Sequence, residues 1–192
     1  AALAIAAGAG KLEAVKFLLE NNCPLDATVC ADAASSGRLE CLQFLHDQGC
    51  PWDADTAFYA TTGGHLDCLV YAHTHGAPLD TRLYVTAACS GHLECLNYLR
   101  AHGQPWDAEV CRAAAQYGKL DILQYAHENG CPWDSEATHA AARMAEFACL
   151  RYLVEHGCPF DQARFEAELA DAPPHMPADK MRDELRKNCV QS

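Results

Sequence analysis

The stretch Ala87-Ala88-Cys89-Ser90-Gly91-His92-Leu93-Glu94-Cys95-Leu96 decides the fold, because its second half recurs along the chain. Gly37-Arg38-Leu39-Glu40-Cys41-Leu42, Gly64-His65-Leu66-Asp67-Cys68-Leu69 and Gly118-Lys119-Leu120-Asp121-Ile122-Leu123 keep a step of 27 residues. Gly10-Lys11-Leu12-Glu13-Ala14-Val15 extends the series upstream, and Ala145-Glu146-Phe147-Ala148-Cys149-Leu150 extends it downstream with degraded polar positions. A second motif keeps the same step. Pro24, Pro51, Pro78, Pro105, Pro132 and Pro159 are each followed two residues later by Asp26, Asp53, Asp80, Asp107, Asp134 and Asp161. An unvarying period without insertion marks a repeat protein. The units divide as a truncated one over 1–21, five full ones over 22–156, and a decaying one over 157–171.

Each position in the unit has a physical role. The Asp follows a Pro-x step and opens a helical stretch, where its carboxylate accepts from free first-turn amides as an N-cap. Asp55, Glu109 and Glu136 add favourable charge in that first turn. The first helix is rich in Ala, as at Ala33-Ala34, Ala87-Ala88, Ala113-Ala114 and Ala140-Ala141-Ala142, so neighbouring helices can approach closely. It ends at Gly10, Gly37, Gly64, Gly91 or Gly118, where the left-handed conformation is needed. Lys11, Arg38, His65, His92 and Lys119 then suit the negative end of the helix just completed. A second helix starts with Glu13, Glu40, Asp67, Glu94 or Asp121, and closes at Asn22, Gly49, Gly76, Gly103, Gly130 or Gly157. Its aromatic position is always filled, by Phe17, Phe44, Tyr71, Tyr98, Tyr125 and Tyr152. The unit is thus helix, turn, helix and short return loop. One such pair cannot bury its apolar faces alone, whereas stacked pairs share a continuous core.

This pattern resembles the ankyrin repeat. The Ala-Ala-x-x-Gly-His-Leu-Glu core appears at Ala87–Glu94, and Gly103 follows Gly91 as the second-helix terminator. The resemblance covers residues 1 to 171 and implies an all-α solenoid. An ankyrin unit is about 33 residues long, so this unit lacks most of the projecting β-hairpin finger. The Thr-Pro-Leu-His signature of the first helix is also missing, since Asp55–Phe58 and Glu109–Arg112 stand there. The chain looks like a short-loop variety with Gly-Cys-Pro-Trp-Asp in the return segment and little or no β-structure.

Composition narrows the function. The chain has 192 residues, 50% hydrophobic and 21% charged, which excludes a disordered tail. The formal charge of −12 and pI near 5.1 argue against a nucleic-acid partner. More than half of the acidic residues have another explanation, because the Asp series, the second-helix starters and Asp55, Glu109 and Glu136 belong to helix starts. The longest apolar stretch, Ala1–Ala9, is too short to span a bilayer. The Ala1 end begins midway through a first helix without an N-cap, so further repeats are expected upstream.

Twelve cysteines are a high count. Cys23, Cys50, Cys131 and Cys158 share one repeat position, Cys41, Cys68, Cys95 and Cys149 another, and Cys30 and Cys111 a third. Equivalent positions on stacked helices lie about 8–10 Å apart, beyond the ~7 Å Cα separation that a disulfide spans. Same-position ladders are therefore expected to stay reduced, as small hydrophobes in a cytoplasmic or nuclear protein. Cys89 and Cys189 stand outside the three series. His46, His73 and His127, and likewise His75, His102 and His156, sit at second-helix ends, which fits helix-dipole placement better than a metal site. Trp52, Trp106, Trp133 and Phe160 align with Leu25 and Leu79, and are expected to fold onto the next unit. Gly8–Lys11 fails as a phosphate loop, since Ile5 and Leu12 occupy its required Gly and Ser/Thr places. No catalytic motif, metal or cofactor is implied.

Positions that vary between repeats are free to recognise a partner. They lie on the first helix and its exit turn, which by the ankyrin resemblance line a concave face. The partner-binding set is Tyr59, Thr62, Thr86, Cys89, Arg112, Gln116, Tyr117, His139 and Arg143. Aromatic and Arg side chains are frequent interface anchors. The implied protein is a non-catalytic, monomeric scaffold within a longer chain that binds another protein. Its specific form is a substrate-recognition adaptor with an effector such as an F-box elsewhere. The rival reading is the targeting arm of an enzyme. Residues 172–192 read as a Pro-containing linker and a short charged helix or tail, with Asp179–Asn188 as the helical part.

Overall fold

A computed structural model describes residues 1–51, 54–103, 106–170, 179–180 and 182–183. The expectations for Trp52, Asp53, Gln104, Pro105, the 172–178 linker and Cys189 lie outside the described residues. Two compact units appear, Ala1–Gln104 and Pro105–Ser192.

The first unit contains four helix pairs. They are α1 (Ala2–Gly8) with α2 (Leu12–Glu20), α3 (Ala27–Ser35) with α4 (Leu39–Asp47), α5 (Ala54–Gly63) with α6 (Leu66–Thr74), and α7 (Arg82–Ser90) with α8 (Leu93–Ala101). The second unit contains α9 (Ala108–Gln116) with α10 (Leu120–Glu128), α11 (Ser135–Arg143) with α12 (Phe147–Glu155), and the single helix α13 (Gln162–Ala170). No strand occurs among the described residues. Each unit is a two-row stack. In the first, α1, α3, α5 and α7 pack in one row and α2, α4, α6 and α8 in the other. In the second, α9, α11 and α13 form one row and α10 and α12 the other.

The first-helix rows pack more extensively than the second-helix rows. The cause is side-chain size: Ala33, Ala60 and Ala87 in the first unit, and Ala114 and Ala141 in the second, occupy one register position and are fully buried. Thr61 takes a place otherwise held by Ala34 and Ala88, and satisfies its buried hydroxyl by donating to Ala57 O at 2.8 Å. Leu42, Leu69 and Leu96, and Leu123 and Leu150, fill the space between rows.

Helix starts follow the Asp series. Asp26, Asp107 and Asp134 adopt extended backbone and accept from Thr28, Glu109 and Glu136 amides at 3.0 Å each. Asp80 accepts from the Arg82 amide at 2.9 Å, and Asp161 from the Arg164 amide at 2.9 Å. Helix ends follow the glycines. At Gly37 (φ 66°) the chain turns left-handed, and the Gly37 and Arg38 amides donate to Ala34 O and Ala33 O at 3.1 and 2.8 Å. Asn22 takes this conformation at φ 58°. Ala145, in the glycine place of the degraded motif, also takes it at φ 59°.

The residue after the glycine acts on a different helix from the one expected. Arg38 Nε donates to Gly8 O at 3.2 Å, and His92 Nε2 donates to Thr62 O at 3.1 Å. Both reach back to the first helix of the preceding pair. The dipole argument keeps its sign, since these are carbonyls at a helix C-terminus, but the bond joins neighbouring pairs. The geometry also explains why glycine is needed. A Cβ on Gly37 would lie 2.5 Å from the His65 ring, and one on Gly10 2.9 Å from Arg38 Cδ.

Candidate functional site

The nine residues expected to meet a partner fall in both units, and each unit is taken separately. In the first, Tyr59 lies on α5 and is 42% exposed, with its ring edge-on to Phe58 at 5.4 Å. Thr62 is exposed at the end of α5 and donates to Phe58 O at 2.9 Å. Thr86 on α7 is half-buried and donates to Arg82 O at 2.8 Å. Cys89, on the last turn of α7, is half-buried. Arg82 bridges to Asp80 at 2.7 Å and places its guanidinium 5.8 Å from the Phe58 ring centroid. A shallow groove of about 350 Å³ runs between α3 and α5, edged by Thr28, Asp32, Asp55 and Tyr59.

In the second unit, Arg112 on α9 pairs with Glu109 and donates to Gln116 Oε1 at 2.9 Å, so it is held along its own helix. Tyr117 closes α9 and is 50% exposed. Arg143 is exposed on the last turn of α11. His139 corrects the expectation. It is fully buried, its Nδ1 bonded to Glu168 Oε2 at 2.8 Å and its Nε2 accepting from the Asp161 amide at 3.2 Å. The physical reason is α13, which packs on α11 and covers the place that a solvent-facing residue would need. Arg164 adds bonds to Glu168 at 3.1 Å and to Glu136. Thus His139 holds the last helix in place and presents no surface to a partner.

Two further residues carry the exposed apolar character expected of a recognition surface. Met144 is 51% exposed and occupies the repeat position of Tyr117. Ile5, on α1, is 73% exposed and occupies the position of Tyr59. The 27-residue register was the available signal for both. Phe17, 63% exposed, is on α2, the first of its row.

The second-helix row is built differently. Its ends form a His–Tyr seam. His75, His102 and His156 each donate from Nδ1 to the carbonyl of Tyr71, Tyr98 or Tyr152 at 2.8 Å, and lie tilted over the same tyrosine. His73 Nδ1 meets Tyr98 Oη at 2.7 Å, and His127 Nδ1 meets Tyr152 Oη at 2.9 Å. Desolvation, and then the neighbouring His102 or His156, hold His73 and His127 below the usual histidine range. Trp133 is half-buried, stacked 3.8 Å from the His127 ring and edge-on to Tyr152 at 6.4 Å. Trp106 meets Tyr125 edge-on at 6.1 Å. The His73–Tyr98 and His127–Tyr152 contacts, and Trp133 between His127 and Tyr152, join consecutive pairs. An open furrow of about 690 Å³ between α4 and α6, edged by Leu39, Leu66 and Val70, lies on this row and away from the exposed first-helix residues.

Among the described residues, eleven cysteines stand outside any disulfide, and no group of three or more His, Cys, Asp or Glu could hold a metal ion. Burial pushes the Cys68 and Cys149 thiols up to about 12, and Cys95 and Cys158 to about 11, as expected of inert core thiols. No described helix is long and apolar enough to cross a membrane.

Fold and site together define a helical-repeat solenoid of ankyrin type, with Tyr59, Tyr117 and Arg143 exposed on its first helices and exit turns. The human ASB11 ankyrin repeat domain, known from a crystal structure, matches 98% of this chain over 97% of its own length, with a TM-score of 0.77 and 22% sequence identity. That likeness shows the fold. No family model matches the chain, and no curated protein matches it in sequence.

Proposed function

We propose that this chain is a non-catalytic module that binds another protein through its first-helix and exit-turn surface. One observation carries the reading. Among the described residues, four of the five large hydrophobic side chains that remain exposed, Ile5, Tyr59, Tyr117 and Met144, lie on first helices or their exit turns. They occupy only two repeat positions. The stack buries small residues at the first of these positions, Ala113 and Ala140, but leaves the large Ile5 and Tyr59 exposed, whereas it buries Leu42 and Leu69. Exposed apolar and aromatic side chains at matching register mark a recognition surface. Arg143, next to Met144, and Thr62, on the turn after Tyr59, supply polar neighbours.

By the ankyrin resemblance this surface is the concave face, and the return segments are of a short-loop variety. Under the same resemblance the chain is an intracellular recognition arm, its specific form a substrate-recognition adaptor with an effector segment elsewhere. The test is affinity capture with the wild-type chain and with a Tyr59/Tyr117/Arg143/Met144→Ala variant. All four residues are exposed, so the variant should fold with little change in stability. Loss of specific captured proteins by a folded variant is the expected result. Identical captured proteins at equal yield would overturn the proposed face.

A further inference from the structure

The second-helix row carries one surface that the repeat does not explain. One position of the second helix is filled by Lys16, Gln43, Asn97, Gln124 and Arg151, and only in α6 by an apolar residue, Val70. None of the six is buried. One turn further on, Glu20, Asp47, Glu128 and Glu155 hold a place that is Thr74 in α6. The core side of α6 is made by Cys68, Leu69 and Ala72, so Val70 and Thr74 change its surface. Both line the open furrow of about 690 Å³ between α4 and α6. Its aliphatic lining is Leu39, Leu66 and Val70, each half-buried. Its acidic lining is Asp67 and Glu94, which share one register position on α6 and α8 and are exposed. Asp67 accepts from the Cys68 amide at 2.8 Å. Neither carboxylate is ion-paired among the described residues.

We propose that this furrow is a second docking surface, which takes a helix of a partner protein presenting aliphatic side chains flanked by Lys or Arg. The aliphatic lining supplies the apolar contact, and it is aliphatic because Val70 stands where every other repeat has a polar residue. The backbone groups of α4 and α6 bond within their own helices. An extended segment laid between them would find no main-chain partners, whereas a helix brings its own hydrogen bonds. Asp67 and Glu94 give the furrow an acidic edge that complements a basic flank on that helix. The chain's formal charge of −12 attracts the same partner at longer range. The furrow belongs to the second-helix row, so it does not depend on the binding role of the first-helix surface.

The test selects phage-displayed random peptides of about 16 residues, roughly four helical turns, on the immobilised full chain. Selected peptides are synthesised, and fluorescence anisotropy measures their affinity for wild type and variants. Val70→Lys/Thr74→Glu gives α6 the residues that α2 carries at Lys16 and Glu20. That spacing favours a helix, so the variant should fold, as circular dichroism checks. The expected peptides carry aliphatic residues at i and i+3 or i+4 with a Lys or Arg beside them. Their affinity should fall about tenfold or more on Val70→Lys/Thr74→Glu. Asp67→Asn/Glu94→Gln should weaken them about threefold at low salt and less at high salt. Tyr59→Ala should leave their binding unchanged, which separates this surface from the first-helix one. Selected peptides that are acidic or Pro-rich, or that bind Val70→Lys/Thr74→Glu as tightly as wild type, would overturn the proposal, as would a selection that enriches nothing. A wild-type sedimentation mass of two chains, reduced to one by Val70→Lys/Thr74→Glu, would assign the furrow to a second copy and would also overturn it.

Discussion

His73 and Tyr98, 25 residues apart, meet through Nδ1 and the phenol oxygen at 2.7 Å, and His127 and Tyr152 repeat the bond at 2.9 Å. Each bond joins the second helix of one pair to the second helix of the next. The Oη of Tyr98 or Tyr152 has a half-buried partner, so removing it leaves an imidazole nitrogen without its bond. Tyr98→Phe and Tyr152→Phe should each cost about 1 kcal/mol of unfolding free energy. A double-mutant cycle with His73→Ala should show coupling for Tyr98 and none for Tyr152, which a pair of denaturant curves would measure.

The same seam sets a pH dependence. His73 and His127 are held below their ordinary value of 6.5, chiefly by desolvation. The unfolded chain therefore takes up protons at these sites before the folded one does. Their stabilising contribution is fully present above about pH 6.5 and is lost as pH falls from there through the lower folded-state values. Unfolding free energy should decrease between pH 7.5 and 5.5, and the slope should flatten in a His73→Gln/His127→Gln variant. Equal slopes in wild type and variant would assign the pH dependence to other groups.

Gly37 and Gly49 separate two reasons for glycine. Both have positive φ, at 66° and 80°. A Cβ at Gly49 meets nothing within 4 Å, whereas one at Gly37 lies 2.5 Å from the His65 ring. Gly49→Ala should therefore cost only the backbone strain, about 1 kcal/mol. Gly37→Ala should cost roughly twice as much or more, because strain and overpacking add. Adding His65→Ala should recover much of the excess, as read from denaturation midpoints.

Ala145 carries the converse case. It holds φ 59° where the other pairs use glycine, and so bears a strain that glycine would relieve. Ala145→Gly should stabilise the chain by about 0.5–1 kcal/mol, less than the strain itself, because glycine loses more freedom on folding. The gain should be visible as a raised thermal midpoint.

The step of 27 residues made helix order, capping and turn chemistry legible, because each depends on local residue type. Asp26, Asp107 and Asp134 cap as their position implies, and Asn22 substitutes for glycine at its turn. What was not legible involves contact between repeats. Arg38 looks like a cation for its own preceding helix, yet it bonds Gly8 O, 30 residues back. Cys50 looks like one rung of a same-position ladder, yet its thiol donates to Asp26 O, 24 residues back. Met144 and Ile5 were readable through their register with Tyr117 and Tyr59, but residue type drew attention to Arg and Tyr first.

His139 and Arg143 lie one helical turn apart on α11 and answer different questions. His139 is fully buried between Glu168 and the Asp161 amide, while Arg143 is exposed. His139→Ala would leave a carboxylate oxygen and an amide without their partner and open a cavity under α13. It should cost roughly 2–4 kcal/mol. In a stacked array that loss falls on the terminal helix first, so hydrogen exchange should accelerate in α13 and α11 before α9. Arg143→Ala should change stability by no more than about 0.5 kcal/mol. Any loss of partner capture by Arg143→Ala then reports recognition, whereas a loss by His139→Ala accompanied by fast exchange in α13 reports the collapse of the terminal helix.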